Sequence, residues 1–250
     1  IRCFVDTFRD NDNVGLIVKA NMAKNSLIDR INTTHAFKSL ISSFGPRKCK
    51  VYLLHGHLSD NEMASLYTNP KVKALVSTTH GEGFGLPMFE AAYYGLPVVA
   101  TDWSGHLDFL YKTNKLKSGK VKKKHMFSKI SYTMQPIEEA AVWDGVLQKG
   151  SMWAYPEEGS VKMNLEEIYK DHGRFKKRAK ELQKWVCEEF NEEKINQQYI
   201  HSIYGEDLVD VQIEDLPKVS LVTSVFRADD YIEQLMEDVT WQTIFQDKCE

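Results

Sequence analysis

The chain has 250 residues, 42% of them hydrophobic and 27% charged, with a formal net charge of -3 and an isoelectric point near 6.3. That is enough apolar material for one full core with residues left for a second element, and the charge balance gives no reason to expect nucleic acid as a partner. No apolar run approaches the roughly 20 residues that span a bilayer and no secretion signal opens the chain, while Cys3, Cys49, Cys187 and Cys249 lack the paired spacing of a zinc site or a disulfide framework, which suits a reduced, cytoplasmic compartment.

Ile1, Phe4, Val5 and Phe8 form a helical stripe that stops at the turn formers Asp10-Asn11-Asp12-Asn13. The chain begins without methionine and so reads as the middle of something larger. Val14 to Lys19 is expected as a strand and Ser26 to Phe44 as an amphipathic helix closed by Gly45-Pro46. Lys50 to Leu54 follows as a strand, then Ser59 to Tyr67 as a helix capped by Ser59 or Asp60. Two short β-branched runs, Val72 to Ser77 and Leu96 to Thr101, read as buried parallel strands. Ser104 to Tyr111 is expected as a short helix and Phe127 to Tyr132 as a last strand. Between them, Lys115 to Lys124 reads as a basic solvated loop, with contact to a membrane surface or an acceptor phosphate as the competing reading. From Asn164 to about Tyr204 the chain is helical, with Leu165, Ile168, Tyr169, Phe175, Ala179, Leu182, Trp185, Val186 and Phe190 as the buried set and a break at Gly173. The alternation of strand and helix predicts an α/β fold, a doubly wound and mainly parallel sheet with C-terminal helices, whose ligands sit at the carboxyl ends of the strands.

Between the two buried strands lies His80-Gly81-Glu82-Gly83-Phe84-Gly85-Leu86-Pro87, continuing through Glu90 to Gly95. A proline in the first turn of a helix loses no hydrogen bond, so a helix is expected to begin near Pro87. Glycines let the backbone come close to a ligand, and the N–H groups at a helix start favour an anion. Glu82 lies on the turn and Glu90 about two helical turns beyond it, so one carboxylate stands at each end of such a ligand to accept hydroxyl hydrogen bonds. A phosphate flanked by hydroxyl groups suits the pattern, as in a nucleotide sugar. An ordinary strand-to-helix turn with both glutamates solvated is the competing reading.

Glu82-Gly-Phe-Gly-Leu-Pro87, then Glu90-Ala91, then Gly95-Leu-Pro-Val-Val-Ala-Thr101 resembles the donor-site signature of the large family of retaining glycosyltransferases with the two-domain GT-B fold, glycosyl transferases group 1 of family 4 type. The resemblance implies that residues 1–204 are the Rossmann-like donor-binding half of a GT-B fold, lacking its first strand and the Arg and Lys loop that neutralises the donor diphosphate. It implies further that the N-terminal acceptor-binding domain is missing. Under it Glu90 accepts from the ribose hydroxyls, Glu82 lies near the donor sugar and phosphate as the candidate catalytic residue, and the amides of Gly83, Phe84, Gly85 and Leu86 hold the diphosphate or sugar hydroxyls. His57 and Leu58 then hold the base, with an ordinary loop before a helix as the alternative. Lys19 approaches the phosphates, with a solvated strand-end lysine as the alternative. Asp102-Trp103-Ser104-Gly105-His106-Leu107-Asp108-Phe109-Leu110 resembles the stretch that closes the family's site, with Trp103 packed as core as the alternative, and His80 is either a phosphate donor or structural.

Transfer in this family retains the anomeric configuration and needs no metal, so no cofactor is expected. The expected partners are a nucleotide-sugar donor, a glycan, lipid or protein acceptor, and peripheral contact with a membrane. After a linker at residues 205–217, Lys218 to Met236 with Gln242-Thr243 resembles the opening strand and helix of an inverting GT-A transferase, with a βα appendage on the main domain as the alternative. A nucleotide-sugar binding fragment without independent catalysis, and an epimerase of the same fold, are the competing functions.

Overall fold

The computed structural model describes residues 1–22, 25–115 and 119–204. The linker and the GT-A-like segment expected from residue 205 onward lie outside the described residues. The chain divides into two units, Ile1–Phe190 and Asn191–Glu250; the described part of the second is helix α8, Glu192–Tyr204.

The first unit opens with α1 (Arg2–Phe8), which buries Phe4, Val5 and Phe8 as its spacing predicts. Strands β1 (Gly15–Ala20) and β2 (Lys50–His55) pair in parallel, Gly15 opposite Lys50 and Ala20 opposite His55. Between them α2 (Leu27–Ser43) starts where the Ser26 hydroxyl accepts the Asp29 N–H. Helix α3 (Asp60–Thr68) carries a capping box: the Ser59 hydroxyl accepts from Glu62 N–H while the Glu62 carboxylate accepts from Ser59 N–H at 2.8 Å. Ser59, not Asp60, is therefore the cap.

A second parallel sheet has the order β3-β4-β7, with β3 at Leu75–Ser77, β4 at Val98–Thr101 and β7 at Ser128–Ile130. Helix α4 (Leu86–Tyr93) connects β3 to β4. The central strand β4 is buried on both faces. Val98 and Ala100 join Met88, Ala91 and Ala92 of α4, Phe109 and Phe127, while Val99 joins Phe4, Val5 and Phe8. Two helices complete the layers: α6 (Glu158–Lys170) lies with α1 on the second face, and α7 (His172–Glu189) lays Leu182, Trp185 and Val186 beside α4. These two apolar faces of one parallel sheet, each covered by helices, are the doubly wound α/β arrangement that the alternation predicts.

Several boundaries differ from expectation. The expected helix at Ser104 to Tyr111 is the single turn α5 (Leu107–Leu110), because Tyr111 already belongs to β5 (Tyr111–Lys115). The basic stretch is not simply a loop: β5 and β6 (Val121–His125) form an antiparallel hairpin, Tyr111 opposite His125 and Lys115 opposite Val121. A second unforeseen hairpin joins β8 (Tyr132–Pro136) to β9 (Met152–Pro156). The helical break falls at Asp171, whose carboxylate accepts the Arg174 N–H, and Gly173 lies inside α7. Tyr169 is 50% exposed, packing only its ring edge on Phe8. Helix α2 buries Asp29, Thr33 and Ile41 while Leu27, Ile28 and Ile31 stay exposed, so it lacks the apolar stripe expected of it.

Strand β7 has β4 on one side only, and its outer edge is satisfied by side chains. Arg178 Nη1 donates to Phe127 O at 3.1 Å, Asn164 Nδ2 to Lys129 O at 3.0 Å, and Ser131 N–H to Ser160 Oγ at 2.9 Å.

Candidate active site

The turn between β3 and α4 is held by the loop that follows β4. Thr101 Oγ1, at the end of β4, donates to Thr79 O at 3.0 Å. Ser104 then makes two bonds with Glu82: its hydroxyl accepts Glu82 N–H at 2.6 Å and donates to Glu82 O at 3.0 Å. Gly105 N–H donates to the same carbonyl at 3.1 Å. A Cβ on Gly105 would collide with the Gly83 carbonyl, so glycine alone lets the two loops approach this closely. Ser104 itself sits at φ 79°, an uncommon place for a side chain.

Gly85 caps α4 at φ 87°, with Met88 Cε and His106 Cβ where its own Cβ would be. Gly83 is the opposite case: it is exposed, and an added Cβ meets nothing within 4 Å. Its carbonyl packs on Gly105, but the side of Gly83 where a Cβ would stand faces open space, as a ligand cradle requires. Phe84 anchors the turn by packing its ring on Phe89 and Phe109, at 5.2 and 5.1 Å between centroids. Leu86, the first residue of α4, is exposed.

Glu82 is half-buried, and its carboxylate makes no hydrogen bond among the described residues. Glu90, one face of α4 further on, accepts from the Tyr67 hydroxyl at Oε2, 2.9 Å away. Burial of the Tyr67 ring, then its bond to Glu90, push the phenol pKa up, so Tyr67 remains a donor at any physiological pH. Tyr67 was missed in the sequence because it lies 23 positions earlier, in a different helix. It is stacked on Tyr94 at 5.9 Å.

His80 takes the structural role. Its Nδ1 lies 2.9 Å from Ala154 O, which can only accept, so Nδ1 carries the proton. The ring stacks on Trp153 of the β8–β9 hairpin at 5.0 Å and 7°. His106 is fully buried under the turn, donating from Nε2 to Thr101 O at 2.7 Å, and its Nδ1 has no partner. Asp102 binds Lys129 at 2.6 Å and accepts the Tyr111 hydroxyl at 2.8 Å, so this carboxylate fastens β4 to β5 and β7. The Asp102 carboxylate first, then the Tyr111 hydroxyl that accepts from Lys129 Nζ at 3.1 Å, hold the Lys129 ammonium above its usual pKa. Trp103, 39% exposed, lies against Tyr132.

Glu82, Gly83 to Leu86 and Glu90 thus occupy one strand-turn-helix unit. Lys19 lies in β1, and His57 and Leu58 lie in the loop that follows β2. His57 and Lys19 are exposed, Leu58 is half-buried, and Lys19 sits opposite Leu54 one residue before β1 ends. At that end the buried Asp29 carboxylate meets His55 Nε2 at 3.0 Å and accepts Met22 N–H at 3.0 Å, which fastens the start of α2 to β2. Among the described residues no hydrogen bond links Lys19, His57 or Leu58 to the glycine-rich turn.

No curated protein matches the chain. Among solved structures it is similar to Anabaena HepE in complex with UDP, at 17% identity and a TM-score of 0.49 over 81% of this chain and 44% of that one. It is also similar to the GtfA/B complex, at 12% identity and a TM-score of 0.39 over 78% and 36%. The chain therefore spans less than half of either structure. Residues 47–125, which contain β2 to β6 and every candidate residue except Lys19, match the model of the family described as glycosyl transferases group 1.

Proposed function

We propose that this chain is the donor-binding half of a retaining glycosyltransferase that takes its sugar from a nucleotide diphosphate. The observation that carries this reading is the exposed Gly83 backbone, fixed between the unbonded Glu82 carboxylate and a Glu90 oriented by Tyr67. The family match over the same residues supports it.

In this pose Glu90 Oε1 accepts the ribose hydroxyls while Oε2 keeps its bond to Tyr67. The amides of Gly83 to Leu86 hold the diphosphate or the sugar hydroxyls, and donors fixed in advance stabilise charge on the leaving diphosphate without reorganising. Glu82 orients the donor sugar. His57 and Leu58 hold the base and Lys19 reaches the phosphates. No metal takes part. The acceptor, a glycan, lipid or protein, binds on a separate domain, and residues 218–250 start a second, GT-A-like transferase domain after the 205–217 linker. The protein works in the cytoplasm, with peripheral membrane contact. Among the described residues no helix is long and apolar enough to cross a membrane.

Calorimetric titration with UDP-, GDP- and ADP-sugars and the parent diphosphates tests the reading. Binding of one nucleotide class that Glu90→Ala abolishes supports it. Affinity unchanged in that variant overturns the assigned pose.

A further inference from the structure

The outer edge of β7 carries a cluster that the donor site does not use. An open cavity of about 330 Å³ lies there, lined by His125, Ser128, Asn164, Glu167, Arg174 and Arg178 among others. Ser128 is 4% exposed, and its buried Oγ has no hydrogen-bond partner among the described residues. A buried hydroxyl left unpaired is unusual and calls for an occupant.

Arg178 is the second anomaly. One of its nitrogens, Nη1, donates to Phe127 O, and the guanidinium lies over the Phe175 ring at 5.5 Å. No carboxylate pairs with it among the described residues. The nearby acid, Glu167, is taken by Arg174 at 2.9 Å, and Arg174 also approaches Asp171 at 3.7 Å. Burial first, then repulsion from Arg174, lower the Arg178 pKa, and burial, then Arg178 itself, lower that of His125. The site therefore holds a half-buried cation whose neighbouring negative charge, Glu167, acts on it from a distance while bonded to Arg174, beside an orphan hydroxyl. An oxyanion answers both needs, since a guanidinium fork binds it bidentately and a hydroxyl donates to it.

We infer that this cavity is a phosphate-binding site, separate from the glycine-rich turn, in which Arg178 and Ser128 Oγ hold the phosphate and His125 lines its mouth. The phosphate comes from a soluble ester or from a phospholipid headgroup.

The test titrates the 250-residue chain with inorganic phosphate at constant ionic strength, following the His125 imidazole signals by NMR and the heat by calorimetry. The expected result is saturable binding that moves the His125 signals and is weakened about tenfold or more in Arg178→Gln, which loses a charge-assisted pair. Ser128→Ala removes no existing bond, so it should fold as the parent does and still bind phosphate more weakly. Gly83→Val should leave the His125 response intact, because the turn is a different site. Failure to saturate, or affinity unchanged in Ser128→Ala, overturns the proposal even if Arg178→Gln does not fold. Sedimentation with phosphatidylcholine vesicles, with and without phosphatidylglycerol, then identifies the source. Vesicle binding displaced by phosphate and lost in Arg178→Gln assigns a lipid headgroup, and phosphate binding without vesicle binding assigns a soluble ester.

Discussion

The Tyr67 hydroxyl donates to Glu90 across 2.9 Å, joining α3 to α4 behind the glycine-rich turn. The bond leaves one carboxylate oxygen of Glu90 for a ligand and fixes the direction in which it is offered. Tyr67→Phe removes the donor while keeping the ring and its stacking on Tyr94. It should cost about 1.5–3 kcal/mol of stability, the worth of one hydrogen bond to a charged acceptor. Urea denaturation checks that figure. Calorimetry should show nucleotide-sugar affinity reduced severalfold, since Glu90 then samples other rotamers; full affinity in Tyr67→Phe would mean that Tyr67 does not orient Glu90 for the ligand.

The glycines of the turn should separate binding from folding. Gly83→Val meets open space, so its melting temperature should match the parent while donor binding is lost. Gly85→Ala places a Cβ against Met88 and His106 at φ 87°. Its left-handed conformation alone should cost about 1–2 kcal/mol. A Gly83→Val protein that melts early would show that the backbone there serves folding instead.

Ser104 locks the two loops together through both backbone groups of Glu82. Ser104→Ala should cost about 1–3 kcal/mol, because the Glu82 N–H loses its acceptor. Hydrogen exchange resolved at Glu82 and Gly83 reads the effect directly, and protection should fall there first while β4 remains protected.

His125 gives a pH dependence with a definite sign. Its folded pKa lies below the ordinary 6.5, chiefly because neighbouring groups strip water from one side of the otherwise exposed ring, and then through the positive charge of Arg178. The folded state therefore binds this proton less readily than the unfolded chain. The stability contribution is intact above pH 6.5 and is lost as pH falls from there through the folded pKa. The difference in denaturation midpoint between neutral and mildly acidic solution should shrink in His125→Gln, and an unchanged difference would assign the acid sensitivity to other groups.

Much of this fold was legible because local patterns and burial agree. Phe4, Val5 and Phe8 repeat at helical spacing and are buried together, and Ser59, one of the two cap candidates, does cap α3. The glycine-rich turn was legible too, because Pro87 and the glycines restrict the backbone by themselves. The two hairpins were not. Strand β6 is exposed along its whole length, so it carries no alternation of buried and exposed residues to announce it. In β8–β9 the pairing joins Tyr132 to Pro156 across a long connection, which no local window contains.

Sequence alone determined the order of strands and helices from α1 to β4 and the turn that leaves Gly83 bare, since backbone freedom and hydrophobic spacing are properties of neighbours in the chain. Only the tertiary structure decided what each polar group meets. It gave Glu90 to Tyr67, His80 to Ala154, Asp102 to Lys129 and Arg178 to the Phe127 carbonyl, and among the described residues it left Ser128 Oγ without a partner. Hydrogen bonds and ion pairs act over a few ångströms, and residues far apart in sequence reach that range only after the sheet has been built.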